Sequence, residues 1–169
     1  MNLPDEFKVL GTSYLPNTSI PLSVVIMVVL VIIAVIIEKK TVFGRRTYLI
    51  GANIKAAELC GVKVAKHLTY LYLFSAFLAG ITGILIASNY IGGSAGRAQG
   101  YEFDALVVTL LGGTSINGGF GSVLGTVVGA LILSVVTSAA TGLLLSPDWQ
   151  YILKGTVTFL AILAQRFAL

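Results

Sequence analysis

Apolar residues in this chain fall in long, nearly unbroken runs, without the two-residue or 3.6-residue alternation of elements that face water on one side. From Ile20 to Ile37, 16 of 18 residues are apolar. As a helix that run is ~27 Å long, enough to cross a bilayer core. Tyr70–Ile91 and Gly121–Leu145 form two further long runs, and Gln150–Leu169 a fourth. Lys154 and Arg166 lie near the ends of the fourth, where long side chains can snorkel to the interface. Asp104–Ile116 is shorter and runs into glycines, so it reads as a short span or a re-entrant segment. The pattern predicts an all-α, polytopic membrane helix bundle of about four to five transmembrane helices.

Composition narrows the class. The chain has 169 residues, 56% hydrophobic and 11% charged, with a mean hydropathy of +0.94. Soluble domains carry about 25% charge. A chain of this size cannot hide so much apolar surface in one water-facing core, which excludes a soluble enzyme. The 19 glycines have no triplet period, which excludes collagen. Residues 1–169 therefore read as a single membrane domain in contact with lipid.

The charges set a topology. Seven of the eleven basic residues fall between Glu38 and Thr69, and no charge occurs from Ala105 to Pro147. One basic loop between two apolar runs is the positive-inside pattern, so residues 38–69 are expected on the cytoplasmic side. They do not spread over a folded face as in a nucleic-acid binder. Residues 1–19 are then external; they carry Asp5 and Glu6 and no apolar signal-peptide core. Residues 92–103, with Arg97 and Gln99, are external too. If the short run crosses, Trp149 and Tyr151 meet the outer interface and the C-terminus is cytoplasmic.

Residues 112–129 hold seven glycines. They are not a phosphate loop, because there is no Lys between Lys66 and Lys154. The dinucleotide form fails at Leu124, where its third glycine belongs. Gly121, Gly125 and Gly129 recur every four residues, a stripe on which a neighbouring membrane helix can approach closely. Gly80 and Gly83 are candidates for the same role in the second run. Gly112-Gly113 and Gly118-Gly119 flank Thr114, Ser115 and Asn117, which reads as a turn; whether it is only a turn or also lines a pathway is left open.

Within the basic loop, Asn53 is a good N-cap, Ile54–Cys60 are mostly good helix formers, and Gly61 fits a left-handed C′ position. A helix of two turns is unstable alone and calls for a partner; Ile54, Ala57 and Leu59 offer an apolar surface among basic residues. A plain solvated connector is the other option. Cys60 is single, His67 has no sequence neighbour to pair with and reads as interfacial, and no catalytic or metal-binding constellation is present.

Several stretches in order resemble the C-terminal half of ribose/xylose-type ABC sugar transporter permeases. They are Thr41-Val42-Phe43-Gly44-Arg45, Tyr48-Leu49-Ile50-Gly51-Ala52-Asn53, Ala56-Ala57 and Cys60-Gly61-Val62. Gly100-Tyr101-Glu102-Phe103-Asp104-Ala105 and Leu111-Gly112-Gly113-Thr114-Ser115 follow. Gly118-Gly119, Gly121-Ser122-Val123-Leu124-Gly125-Thr126, Trp149-Gln150 and Lys154-Gly155 complete the set. The related branched-chain amino-acid permeases share part of it. Phe120 and Ser122 stand where such permeases often carry Lys or Arg.

The resemblance implies an importer permease subunit, itself not an enzyme, in the bacterial inner membrane. ATP and magnesium would be bound by a separate ABC ATPase subunit, and cargo delivered by a periplasmic or extracellular sugar-binding protein. It implies that Gly51–Gly61 couples to the ATPase through Gly51, Asn53, Ala56, Ala57, Glu58 and Gly61, with Arg45 and Arg46 at the rim. Tyr101, Glu102, Asp104, Ser115 and Asn117 are candidates for the translocation path or its mouth, Asp104 also for capping a helix. Such permeases are longer than this chain, so a second permease subunit or a missing N-terminal half is a further expected partner. A small stand-alone channel or carrier, a branched-chain amino-acid-type permease, and a truncated non-transporting permease remnant or assembly subunit are the alternatives.

Overall fold

The computed structural model describes residues 20–90, 96 and 98–168, and over these the chain is all-α. Seven helices are present among the described residues: α1 Leu22–Lys40, α2 Val42–Ala52, α3 Ile54–Leu59, α4 Val64–Asn89, α5 Tyr101–Leu111, α6 Val123–Gly142 and α7 Pro147–Ala168. The segment expected outside, residues 1–19, lies beyond the described residues, as do Arg97 and the side chain of Arg166.

Of these helices, α1, α4 and α6 are long and apolar enough to cross a membrane. α1 is rich in Val and Ile, poor helix formers in water. In a bilayer each unpaired backbone group is costly, so helix is the only way such a run can cross. α7 has 22 residues, the length of a span, and carries Asp148 and Lys154. The short run resolves as α5, whose 11 residues extend ~16 Å, about half a hydrocarbon core.

α5 and α6 form an antiparallel hairpin, and glycine sets its closeness. A Cβ at Gly112 would stand 2.5 Å from the Gly125 carbonyl carbon, and one at Gly129 would overlap the Val108 carbonyl oxygen. The two backbones therefore touch directly. Between bilayer helices, where no hydrophobic drive exists, such contact is the main source of attraction. Of the expected stripe, Gly125 and Gly129 lie on α6, whereas Gly121 precedes it and faces the Thr114 side chain. The linking turn, residues 112–122, has Gly113, Gly118 and Gly119 at positive φ, and Ser115 N–H donates to Phe120 O at 2.9 Å. Gly80 and Gly83 differ from expectation: a Cβ at either meets nothing within 4 Å, so no described helix packs on them.

The loop after α1 is more ordered than its charges suggest. Thr41 breaks α1 with extended backbone and starts α2 at once, its hydroxyl accepting from Gly44 N–H at 3.2 Å. Gly44 lets α2 fold back over the last turn of α1, since a Cβ there would overlap Glu38 O and sit 2.7 Å from Ile37 O. Little apolar surface is hidden: among the described residues, Ile50, Ala57, Val107, Leu133 and Ala140 are the buried hydrophobic ones. The long helices turn residues such as Tyr72, Phe77 and Val135 outward, as a chain solvated by lipid does.

Adding one methyl separates these two kinds of glycine. Gly125→Ala pushes a Cβ onto Gly112 backbone and should cost about 1–3 kcal/mol. Gly80→Ala, with open space, should be neutral or stabilise by up to ~1 kcal/mol. Thermal unfolding of the two variants in detergent checks the contrast.

Candidate functional site

At the end of α1, one tyrosine and one carboxylate gather three parts of the chain. The Tyr48 hydroxyl, on α2, lies 2.5 Å from Glu38 Oε1 and 2.7 Å from Gly121 O. The other Glu38 oxygen, Oε2, accepts the Val123 N–H at 3.1 Å. Burial, then the hydrogen bond to Glu38, then its charge push the Tyr48 hydroxyl up to about 12 from its usual 10.0. It therefore keeps its proton at any physiological pH. A cavity of about 450 Å³ adjoins the cluster, walled by Ile37, Phe43, Leu71 and Phe74 and by Thr114 and Ser115 of the turn.

Two more contacts fix α2. The Thr47 hydroxyl lies 2.9 Å from His67 Nε2 on α4, and the Phe43 ring sits 4.4 Å from the His67 ring. His67 is thus buried and partnered, where the sequence showed no partner; its partners lie 20 and 24 positions back, where local spacing gives no signal. At its far end α2 rests on the glycine turn. A Cβ at Gly118 would stand 2.5 Å from Gly51 O, and one at Gly51 would stand 2.7 Å from Gly119 N.

α3 follows with both of its expected stops. Asn53 Oδ1 accepts from Ala56 N–H at 3.1 Å. At the other end Gly61 takes φ +75, its N–H donates to Glu58 O, and Val62 N–H donates to Ala57 O. That pair of bonds is a Schellman closure, in which the left-handed residue is normally glycine. The helix surface departs from expectation at Ala57, which is fully buried, while Leu59 is 90% exposed and Ile54 54%. Residues two apart on a helix lie on nearly opposite sides, so Ala57 anchors α3 and Leu59 points away. Glu58, Cys60, Arg45 and Arg46 are also exposed.

A second polar cluster joins α5 to α7. Lys154 Nζ donates to both Asp104 oxygens, at 2.6 and 2.9 Å, with side chains 18% and 28% exposed. Asp104 therefore spends its charge on α7. The N-cap position of α5 is Gly100, whose N–H donates to Glu102 Oε2 at 3.2 Å. Lys154, expected from sequence to snorkel, instead has Asp104 as its partner; a charge near a membrane is stabilised by such pairing. Tyr101, Glu102 and Asp104 begin α5, whereas Ser115 and Asn117 lie in the turn beyond its other end. The helix separates the two groups, so these five residues are not one site. Glu38 is the functional candidate that sequence reasoning missed. Its signal was an acid directly after an 18-residue apolar run.

The sequence profile of the family described as "branched-chain amino acid transport system / permease component" matches residues 4–162. The chain is 37% identical over 160 residues to a probable ABC transporter permease protein, YphD, of Escherichia coli. That match covers 95% of this chain and 48% of the relative. It is 38% identical over 156 residues to the xylose transport system permease protein XylH of Haemophilus influenzae, covering 91% and 42%. To the ribose import permease protein RbsC of Bacillus subtilis it is 34% identical over 160 residues, covering 95% and 49%. The chain thus spans about half the length of the curated relatives it matches. No solved structure matches.

Two outcomes follow from the polar clusters. Tyr48→Phe should cost ~1.5–3 kcal/mol at neutral pH, the worth of a hydrogen bond to a charged group. Because the folded hydroxyl is raised, this contribution is whole below pH 10.0 and lost as pH rises through about 12. Unfolding temperatures of wild type and Tyr48→Phe should therefore converge across that window. Lys154→Met strands the Asp104 carboxylate and should destabilise by about 1–3 kcal/mol. Reversing both charges, Asp104→Lys with Lys154→Asp, should recover part of that loss in the same measurement.

Proposed function

The chain belongs to the family of branched-chain amino acid transport system permease components, and from that premise we propose that it is the membrane-spanning, docking half of an ABC importer permease for a monosaccharide. Relatives named for xylose and ribose support the sugar over an amino acid. A separate ATPase subunit binds ATP and magnesium and drives transport from the cytoplasmic face. A sugar-binding protein delivers cargo from the other face, and the remaining permease length comes from a second subunit or a complementary half. The chain sits in the bacterial inner membrane, with the basic segment and the C-terminus on the cytoplasmic side.

One observation carries the docking role. α3 is capped at both ends and anchored by buried Ala57, yet it turns Leu59 and Ile54 out into the open. Leu59, 90% exposed on an ordered and capped helix, is free to be covered by a partner. A short helix fixed through Ala57, with Leu59 and Ile54 exposed among the charged Lys55 and Glu58, suits a groove on another protein that takes both apolar and charged groups. Glu58, Arg45 and Arg46 then rim the contact and set its charge preference, while Gly51, Asn53, Ala56 and Gly61 shape the backbone that presents it. At the opposite end of α5, Tyr101 and Glu102 are the candidates to meet arriving sugar, with Asp104 held by Lys154, and Ser115 and Asn117 lie near the docking end.

Leu59→Asp and Glu58→Arg change only exposed groups and should each lower ATPase co-purification about tenfold, or ~1.4 kcal/mol, with membrane insertion and thermal stability unchanged. Undiminished co-purification in both variants would overturn the docking role. Ala57→Trp should instead unfold α3, because its position has no free volume.

A further inference from the structure

Glu38 is used at both oxygens, and the two bonds lead to different parts of the fold. Oε1 faces the hydroxyl of Tyr48 on α2, two helical turns from the start of α3. Oε2 accepts the N–H of Val123, the first residue of α6. A helix leaves its first N–H groups unpaired, and a carboxylate there also meets the positive end of the helix dipole. Ser122 Oγ accepts from Gly125 N–H at 3.0 Å, so capping of α6 is shared between its own serine and a carboxylate 85 residues away in sequence. Charge-assisted bonds of this kind are about twice as strong as neutral ones. Tyr48 adds a second feature. Its single hydroxyl hydrogen has two acceptors in reach, Glu38 Oε1 and Gly121 O, so one side chain of α2 touches both the end of α1 and the turn before α6. Coupling between distant parts travels through contiguous contacts of this kind.

Resting on the docking role proposed above, we propose that Glu38 is the positioning residue through which displacement of α3 is handed to the α5–α6 hairpin. The route runs from Leu59 along α3, through Asn53 into α2, and across Tyr48 and Glu38 to the start of α6. The glycine contact of Gly51 on Gly118 and Gly119 steers the same two parts by shape alone. Glu38 adds a bonded link, so that α6 follows when α2 is pulled as well as when it is pushed. Removing the link leaves the docking surface intact, since Glu38 and Tyr48 lie on α1 and α2 and the exposed residues on α3.

The test uses the assembled transporter in proteoliposomes, with radiolabelled ribose and xylose as probes. For Glu38→Gln and the milder Tyr48→Phe, ATPase co-purification and ATP hydrolysis should stay at wild-type levels, while sugar taken up per ATP falls about tenfold. A purely structural role would lower association, hydrolysis and uptake together and leave that ratio unchanged. An unchanged ratio in both variants overturns the proposal. A second measurement needs no partner: spin labels at Leu59→Cys and Ile116→Cys, with Cys60→Ser, report the distance between docking helix and turn. Wild type should give one narrow distance distribution and Glu38→Gln a broad one. Unbroadened distances overturn the link even if the ATPase never binds, and loss of ATPase binding by wild type would overturn the docking role alone.

Discussion

Between residue 44 and the last turn of α1 there is no room for a side chain. The carbonyl oxygens of Ile37 and Glu38 occupy the place a Cβ would take, and this closeness decides how α2 lies. Once α2 is folded back there, Tyr48 falls on Glu38, Thr47 and Phe43 fall on His67, and Gly51 reaches the glycine turn. α3 inherits its position from that seating. Only Asn53 separates α2 from α3, and Asn53 takes extended backbone while capping α3. Local sterics at one glycine thus place a helix whose exposed face lies about ten residues downstream.

The bilayer explains why contacts of this type dominate. Lipid is as apolar as leucine, so burying leucine between helices gains little, and the chain relies on backbone contact and on polar groups that cannot be left unpaired. Both polar clusters follow that rule. Each joins elements far apart in sequence, Glu38 to Val123 and Asp104 to Lys154, and each places a carboxylate against donors. They sit toward opposite ends of α5. The half-length α5 makes this arrangement available: it begins part-way along α6, so its first turn can meet Lys154 on α7 while its last turn delivers the chain to the docking end.

What the sequence reveals depends on how local the cause is. The apolar runs are visible because lipid solvation acts on each residue separately, and the three spanning helices match them closely. The caps of α3 are visible because Asn53 and Gly61 act on their own neighbours. α2 is hidden, since two glycines and two arginines in eleven residues look like a loop until α1 and the turn are there to hold them. Glu38 reads as one more charge at a membrane edge, and its role depends on a backbone N–H 85 positions away. The pairing of Asp104 with Lys154, 50 positions apart, is invisible for the same reason. Ala57 was misread for a different one: composition suggests an apolar surface, and only the helical rotation between Ala57 and Leu59 tells inside from outside.

The backbone contact between α5 and α6 bears on how a chain like this can change over generations. Gly112 and Gly125 each occupy the space a side chain on the other would need. A larger residue on one side is not rescued by any choice on the other, because glycine is already the smallest. Each single step away from the pair therefore carries a stability cost that only a wider spacing of the hairpin relieves. Gly80 and Gly83 meet nothing within 4 Å among the described residues, so no contact of this kind holds them there. The turn and hairpin therefore form a fixed frame, and the outward faces of the long helices are where new lipid surroundings or new neighbours can be accommodated.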